Sequence, residues 1–170
     1  MELNEIVTPA VLVTTFRDYN NGNPFGTWIN PARYDSEARF KTACTRLHGV
    51  SPDAELMFIE AEGIPSQFYA ETGITWQFID AFRQAEEEGT QAPLMAWYRA
   101  GGDGGYSDFE AAYVCEAASA EDYARDLLEN NGALEGLTPQ LREYFDFEAY
   151  GRDLMLNGMR FEGGFVFNRI

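Results

Sequence analysis

Histidine and cysteine are the side chains that most often hold metal or build a nucleophile–base pair, and here there are one histidine, His48, and two cysteines, Cys44 and Cys115. A Cys/His zinc site takes four ligands, usually in two close pairs. Cys44 and His48 stand four apart and Cys115 is far off in sequence, so no zinc site is expected. Phe40, Ala43, Cys44 and Leu47 instead follow the i, i+3, i+4, i+7 spacing of a helix's apolar stripe, which makes Cys44 a small core residue. A Ser-His-Asp or Cys-His-Asn arrangement would have to use His48, and nothing near it resembles a nucleophile elbow. Asp18-x-Asn20-x-Gly22 opens like a calcium loop but places Gly22 at the fifth position, where a ligand is needed. Gly101-Gly102-Asp103-Gly104-Gly105 lacks the lysine and the glycine spacing of phosphate loops and reads as a flexible linker or a turn. No cofactor and no metal are expected.

Carboxylate is what abounds. The chain sets 28 Asp and Glu against 12 Lys and Arg, for a net charge of −16. A positive footprint is what phosphate binding needs, so direct DNA or RNA binding is excluded and an anionic membrane is disfavoured. Paired carboxylates can hydrolyse glycosides, but so many acids offer so many pairs that no one pair is selected. No apolar run approaches the roughly 18 residues of a membrane span. The opening Met-Glu-Leu-Asn-Glu lacks the basic start of a signal peptide, and two cysteines are too few for a disulfide scaffold, so a cytoplasmic address is expected.

The elements that must carry these acids follow from pattern. With 170 residues, 45% of them hydrophobic, a real core can be buried. The predicted class is α+β, arranged as an elongated chain of three small domains with an acidic surface. Residues 1–61 form a small α/β domain: a strand over Ala10 to Phe16, a turn over Asn20 to Pro24, a strand over Phe25 to Asn30, a helix over Ser36 to His48 and a strand over Leu56 to Glu60. Residues 62–103 form a helical domain with little sheet signal. Thr75 caps a helix that runs to Glu88 and closes at Gly89, and a shorter helix spans Pro93 to Ala100. Residues 104–170 form an α/β domain. Ser107 to Glu110 reads as a capping box, Tyr113 to Ala117 as a strand, and Ser119 opens a helix with Tyr123, Ala124, Leu127 and Leu128 inward. Thr138-Pro139 starts another helix, Tyr150 and Leu154 mark an apolar face, and Gly163-Gly164 turns a C-terminal hairpin.

The acid is spread over all three blocks, at net −3, −5 and −8 in order along the chain. Some of it sits where helices resist it. Glu86-Glu87-Glu88 fills a last turn, where the macrodipole disfavours each anion by roughly 0.3–1 kcal/mol. Asp122 and Asp126 form a like-charge i, i+4 pair. Glu110 and Asp122 have a structural reason as capping-box acids; the Glu86 cluster has none. Solubility or a halophile-like surface would also produce such a charge. Geometry favours a functional surface. Duplex DNA carries one charge per about 1.7 Å, so the acids match at most ~48 Å of duplex. A compact sphere of this length is about 40 Å across, so a duplex-like display needs an elongated chain. Carboxylates on successive helical turns lie about 5–6 Å apart, close to the spacing of neighbouring phosphates on one strand.

Phe16-Arg17-Asp18-Tyr19-Asn20-Asn21-Gly22 with Phe25-Gly26-Thr27-Trp28-Ile29 resembles the opening of the ArdA antirestriction family. Ser119-Ala120-Glu121-Asp122-Tyr123-Ala124, the run from Tyr144 to Leu154, and Val166-Phe167 resemble it too, in order along nearly the whole chain. The resemblance implies a DNA mimic that is not an enzyme. It would bind the DNA groove of type I restriction-modification enzymes and block DNA binding, protecting incoming mobile-element DNA. It also implies a homodimer and three domains in each subunit. Gly151 stands where the family tends to have Ala, which bears on local helix stability and domain orientation and leaves the acidic surface untouched. The phosphate-mimicking surface is assigned to Asp80, Glu86, Glu87, Glu88, Asp103, Asp108, Glu110, Glu116, Glu121, Asp122, Asp126, Glu129, Glu135, Glu143, Asp146, Glu148 and Asp153. Tyr144, Phe145 and Tyr150 are candidates for the dimer interface, or for burial inside their own block. Two other classes compete: an acid-rich enzyme with a carboxylate pair in one pocket, and a general protein-interaction module whose charge serves solubility.

Overall fold

The computed structural model describes residues 6–23, 25–49 and 54–168. Among them are helices and three small antiparallel sheets, the expected α+β class. The chain divides into two compact units, with the boundary between Gln91 and Ala92.

In the first unit β1 (Ala10–Thr15) is β-branched and apolar, and lies at the centre of a sheet. Its last residue caps a short helix: the Thr15 hydroxyl accepts the Asp18 N–H at 3.1 Å and donates to the Asp18 carboxylate at 2.8 Å. Phe16 therefore begins α1 (Phe16–Asn20) instead of ending the strand. Asn21 and Gly22 make the expected turn; Pro24, assigned to that turn, lies outside the described residues. β2 (Thr27–Ile29) follows, then α2 (Glu37–Leu47) between Ser36 and His48, then β3 (Leu56–Glu62). The order β2-β1-β3 puts Val11 opposite Ile29 and Ala61, and Val13 opposite Phe58. These residues form the inner face, and Phe40 of α2 stacks on Phe58 with ring centroids 6.1 Å apart. Cys44 is fully buried, and burial pushes its thiol up to about 12, so it remains a protonated core residue.

The middle of the chain holds more sheet than expected. β4 (Tyr69–Ala70) and β5 (Gly73–Ile74) form a two-residue hairpin. Four residues are too few to show a period of two, so the sequence carried no signal for it. α3 (Trp76–Glu88) buries Phe78, Ile79, Phe82 and Ala85 and closes at Gly89 in the left-handed conformation. Thr75 occupies the N-cap position without a side-chain cap; its backbone N–H donates to the Phe68 carbonyl at 2.8 Å.

In the second unit α4 (Gln91–Arg99) buries Leu94, Trp97 and Tyr98. The glycine run after it is a fixed turn. Gly102 is buried, and a Cβ there would stand 2.3 Å from the Trp97 ring. The Gly102 N–H donates to the Trp97 carbonyl at 2.9 Å and the Tyr98 hydroxyl to the Gly104 carbonyl at 3.0 Å. The capping acid of α5 (Tyr106–Ala112) is Asp108, whose carboxylate accepts the Gly105 N–H at 2.8 Å. The expected Ser107–Glu110 box is thus out of register by two: Tyr106 is already helical and buries its ring beside Phe109. β6 (Tyr113–Glu116) leads to α6 (Ala120–Asn130), the short α7 (Pro139–Arg142), α8 (Phe147–Leu156), β7 (Arg160–Glu162) and β8 (Phe165–Phe167). β8 lies between β6 and β7, with Val166 and Phe167 fully buried. α6 and α8 pack at Gly151, where a Cβ would meet the Ala120 carbonyl oxygen at 2.5 Å. Gly151 is therefore a packing requirement between two helices, and its effect extends beyond local helix stability.

Candidate protein-binding surface

Each acid is placed by the element that carries it. α6 turns Tyr123, Ala124 and Leu128 inward. Asp122, Asp126 and Glu129, spaced four and three, share the exposed side. Asp122 has the capping role expected of it: the Ser119 hydroxyl accepts its N–H at 3.0 Å and donates to its carboxylate at 2.7 Å. Asp146 caps α8 by accepting the Ala149 N–H at 2.8 Å, with Glu148 in the first turn and Asp153 further along. On α3, Glu86, Glu87 and Glu88 are exposed in a last turn that holds no base.

All seventeen assigned acids are exposed except Glu121, which is half-buried. Two are ion-paired among the described residues: Asp80 with Arg83 at 3.9 Å and Glu121 with Arg125 at 2.7 Å. The others present charge to solvent without a basic partner there. Their field reaches neighbouring groups. Burial raises the Tyr98 phenol, and the charges of Asp103 and Asp108 raise it further; burial and then Asp126 do the same to the Cys115 thiol.

Within the second unit, Glu121, Glu129, Glu143, Asp146 and Glu148 converge on one groove of about 520 Å³. Arg125 and Arg142 stand among them. The Arg125 guanidinium lies 4.8 Å over the Phe147 ring. A reading built on acids alone missed these two bases; the signal for Arg125 was its i, i+4 spacing from Glu121. Of the interface candidates, Phe145 and Tyr150 are half-buried and pack on each other, with ring centroids 6.1 Å apart. Tyr144 is 86% exposed.

In the first unit a larger cavity, about 760 Å³, is lined by Phe16, Phe58, Lys41, Arg46 and Glu55 among others. Glu55 is the one carboxylate on its described lining. No helix among the described residues is long and apolar enough to cross a membrane.

Small antiparallel sheets and capped helices whose outward sides carry unpaired carboxylate define an acidic α+β protein. The chain belongs to the ArdA family of antirestriction proteins, whose family model matches residues 11–167. No curated protein sequence matches it. Membership assigns it an antirestriction function, and so a restriction-modification system as its counterpart.

Proposed function

We propose that the chain is a DNA mimic that occupies the DNA-binding groove of type I restriction-modification enzymes, blocks DNA there and so protects incoming mobile-element DNA. The observation that carries this reading is the exposed, largely unpaired carboxylate of α3, α6 and α8. Carboxylates about 5–6 Å apart on successive turns approximate a phosphate row. A groove that takes them up releases the counterions that DNA itself would release. The reading includes an elongated display in three blocks, a cytoplasmic address and a homodimer that uses the exposed Tyr144. It needs occupancy alone and assigns no catalytic residue. The carboxylate-pair enzyme finds no support in the larger cavity, where Glu55 stands with Lys41 and Arg46.

The test is displacement of labelled duplex from a type I methyltransferase at two salt concentrations. Changing any one of the seventeen acids to its amide leaves competition nearly intact. Changing eight or more weakens it by about a hundredfold or beyond and flattens its dependence on salt. Complete loss from a single Glu→Gln change would point to a discrete site and defeat the mimic.

A further inference from the structure

The acid display leaves one face of the first unit unexplained. β1 turns Val11 and Val13 into the core and Ala10 and Leu12 outward, where both are half-buried. Leu12 stands directly opposite Trp28 of β2 on one side and Glu60 of β3 on the other; Ala10 stands opposite Glu62. Ring, aliphatic side chain and carboxylate thus form one row across three strands, about 4.8 Å apart per strand. The Leu12 side chain packs closely against Gly26, where a Cβ would stand 2.9 Å from it. Trp28 is 44% exposed. Glu60 and Glu62 are exposed and enter no ion pair among the described residues. Negative potential persists beside them: burial, then Glu71 and Glu60, raise the Tyr69 phenol.

Charge decides what covers this face. A second copy meeting itself on this face would bring its own Glu60 and Glu62 against these two, and nucleic acid has the same sign. A purely apolar partner would strip water from Glu60 and Glu62 without pairing them. A guanidinium stacks its plane on an indole, lays its aliphatic stem along an apolar floor and pairs bidentately with a carboxylate. We propose that the outer face of this sheet docks an arginine-bearing, positively charged protein surface, with Trp28 as the stacking ring and Glu60 and Glu62 as counter-charges. The proposal rests on the mimic reading, which makes that surface part of the restriction-modification enzyme. It adds a contact whose physics differs from phosphate mimicry. Stacking on Trp28 persists at high salt, where the acid display fades.

The displacement assay on the full chain tests it with Trp28→Ala, Trp28→Phe and the pair Glu60→Gln with Glu62→Gln. Trp28→Ala competes about five- to tenfold more weakly at both salt concentrations, with the salt slope of the unaltered chain. Trp28→Phe recovers part of the loss. The two amides weaken competition more than a charge-matched pair, Asp35→Asn with Glu37→Gln. Circular dichroism of the same samples reports folding, and the exposed amide pair serves if Trp28→Ala unfolds. If the unaltered chain displaces duplex while Trp28→Ala equals it, or the two amide pairs act alike, the docking face is overturned and the mimic stands. If the unaltered chain displaces nothing, both fall.

Discussion

α2 and α6 are the same helix built twice with opposite surfaces. Each has eleven residues, a serine N-cap and one i, i+4 ion pair, Glu37–Lys41 in α2 and Glu121–Arg125 in α6, both at 2.7 Å. Each buries a short apolar stripe, Phe40 with Cys44 in one and Tyr123, Ala124 with Leu128 in the other. Outside that stripe they diverge. α2 carries one acid against Arg39, Lys41 and Arg46, whereas α6 carries Glu121, Asp122, Asp126 and Glu129 against Arg125. Helix formation and burial need none of this difference. Asp122 caps the helix and Glu121 pairs with Arg125, but the Asp126 and Glu129 carboxylates are surplus to the fold, as expected where charge serves a partner. α3 makes the point more sharply, since Glu86, Glu87 and Glu88 oppose their own helix dipole.

The contrast can be broken at several strengths. The largest effect is on competition for the methyltransferase: among the eight or more amides, those on α3, α6 and α8 dominate the loss, while amides at Asp35 and Glu37 beside α2 change little. Equal effects from both sets would reduce the display to net charge. Next in size is Gly151→Ala. Its Cβ would press on the Ala120 carbonyl, so chemical denaturation should show a loss of about 1–3 kcal/mol. An unchanged midpoint would mean that α6 and α8 separate freely.

Smaller effects distinguish the two caps. Ser119 accepts the Asp122 N–H at 3.0 Å, while Ser36 accepts the Arg39 N–H at 3.4 Å. Ser119→Ala should cost about 1–2 kcal/mol and Ser36→Ala about 0.5 kcal/mol in thermal unfolding. The reverse order would refute the cap geometry. Smallest is the Glu86 cluster. Each Glu→Gln change there should stabilise α3 by about 0.3–1 kcal/mol at low salt, and the gain should vanish at high salt. A loss of stability would reveal a structural role for these acids and remove the argument that they serve a partner.

Legibility followed the range of the forces involved. Helix α2, with its Ser36 cap, its buried Phe40 and Cys44 and its His48 end, was readable because capping and periodicity act within a few residues; Leu47, expected on the same stripe, is 59% exposed in the last turn, and Thr45 is buried in addition. The Gly163-Gly164 hairpin and the exposure of the acids were readable for the same reason. The Thr15–Asp18 cap and the register of α5 escaped because two local patterns fit equally until packing chose, and the β4–β5 hairpin escaped because its four paired residues show no period. At Ser107–Glu110 the burial of Tyr106 moved the cap back to Gly105.

Composition and local pattern alone determined the sign of the surface, the α+β class, the positions of the long helices and the family. All of these depend on residue types and short spacings. The tertiary structure decided which carboxylates converge on the groove beside Arg125, why position 151 has no side chain, and that Trp28 shares a row with Glu60 across β1. Those relations join residues far apart in sequence, and backbone register and close packing, which no local spacing encodes, set them.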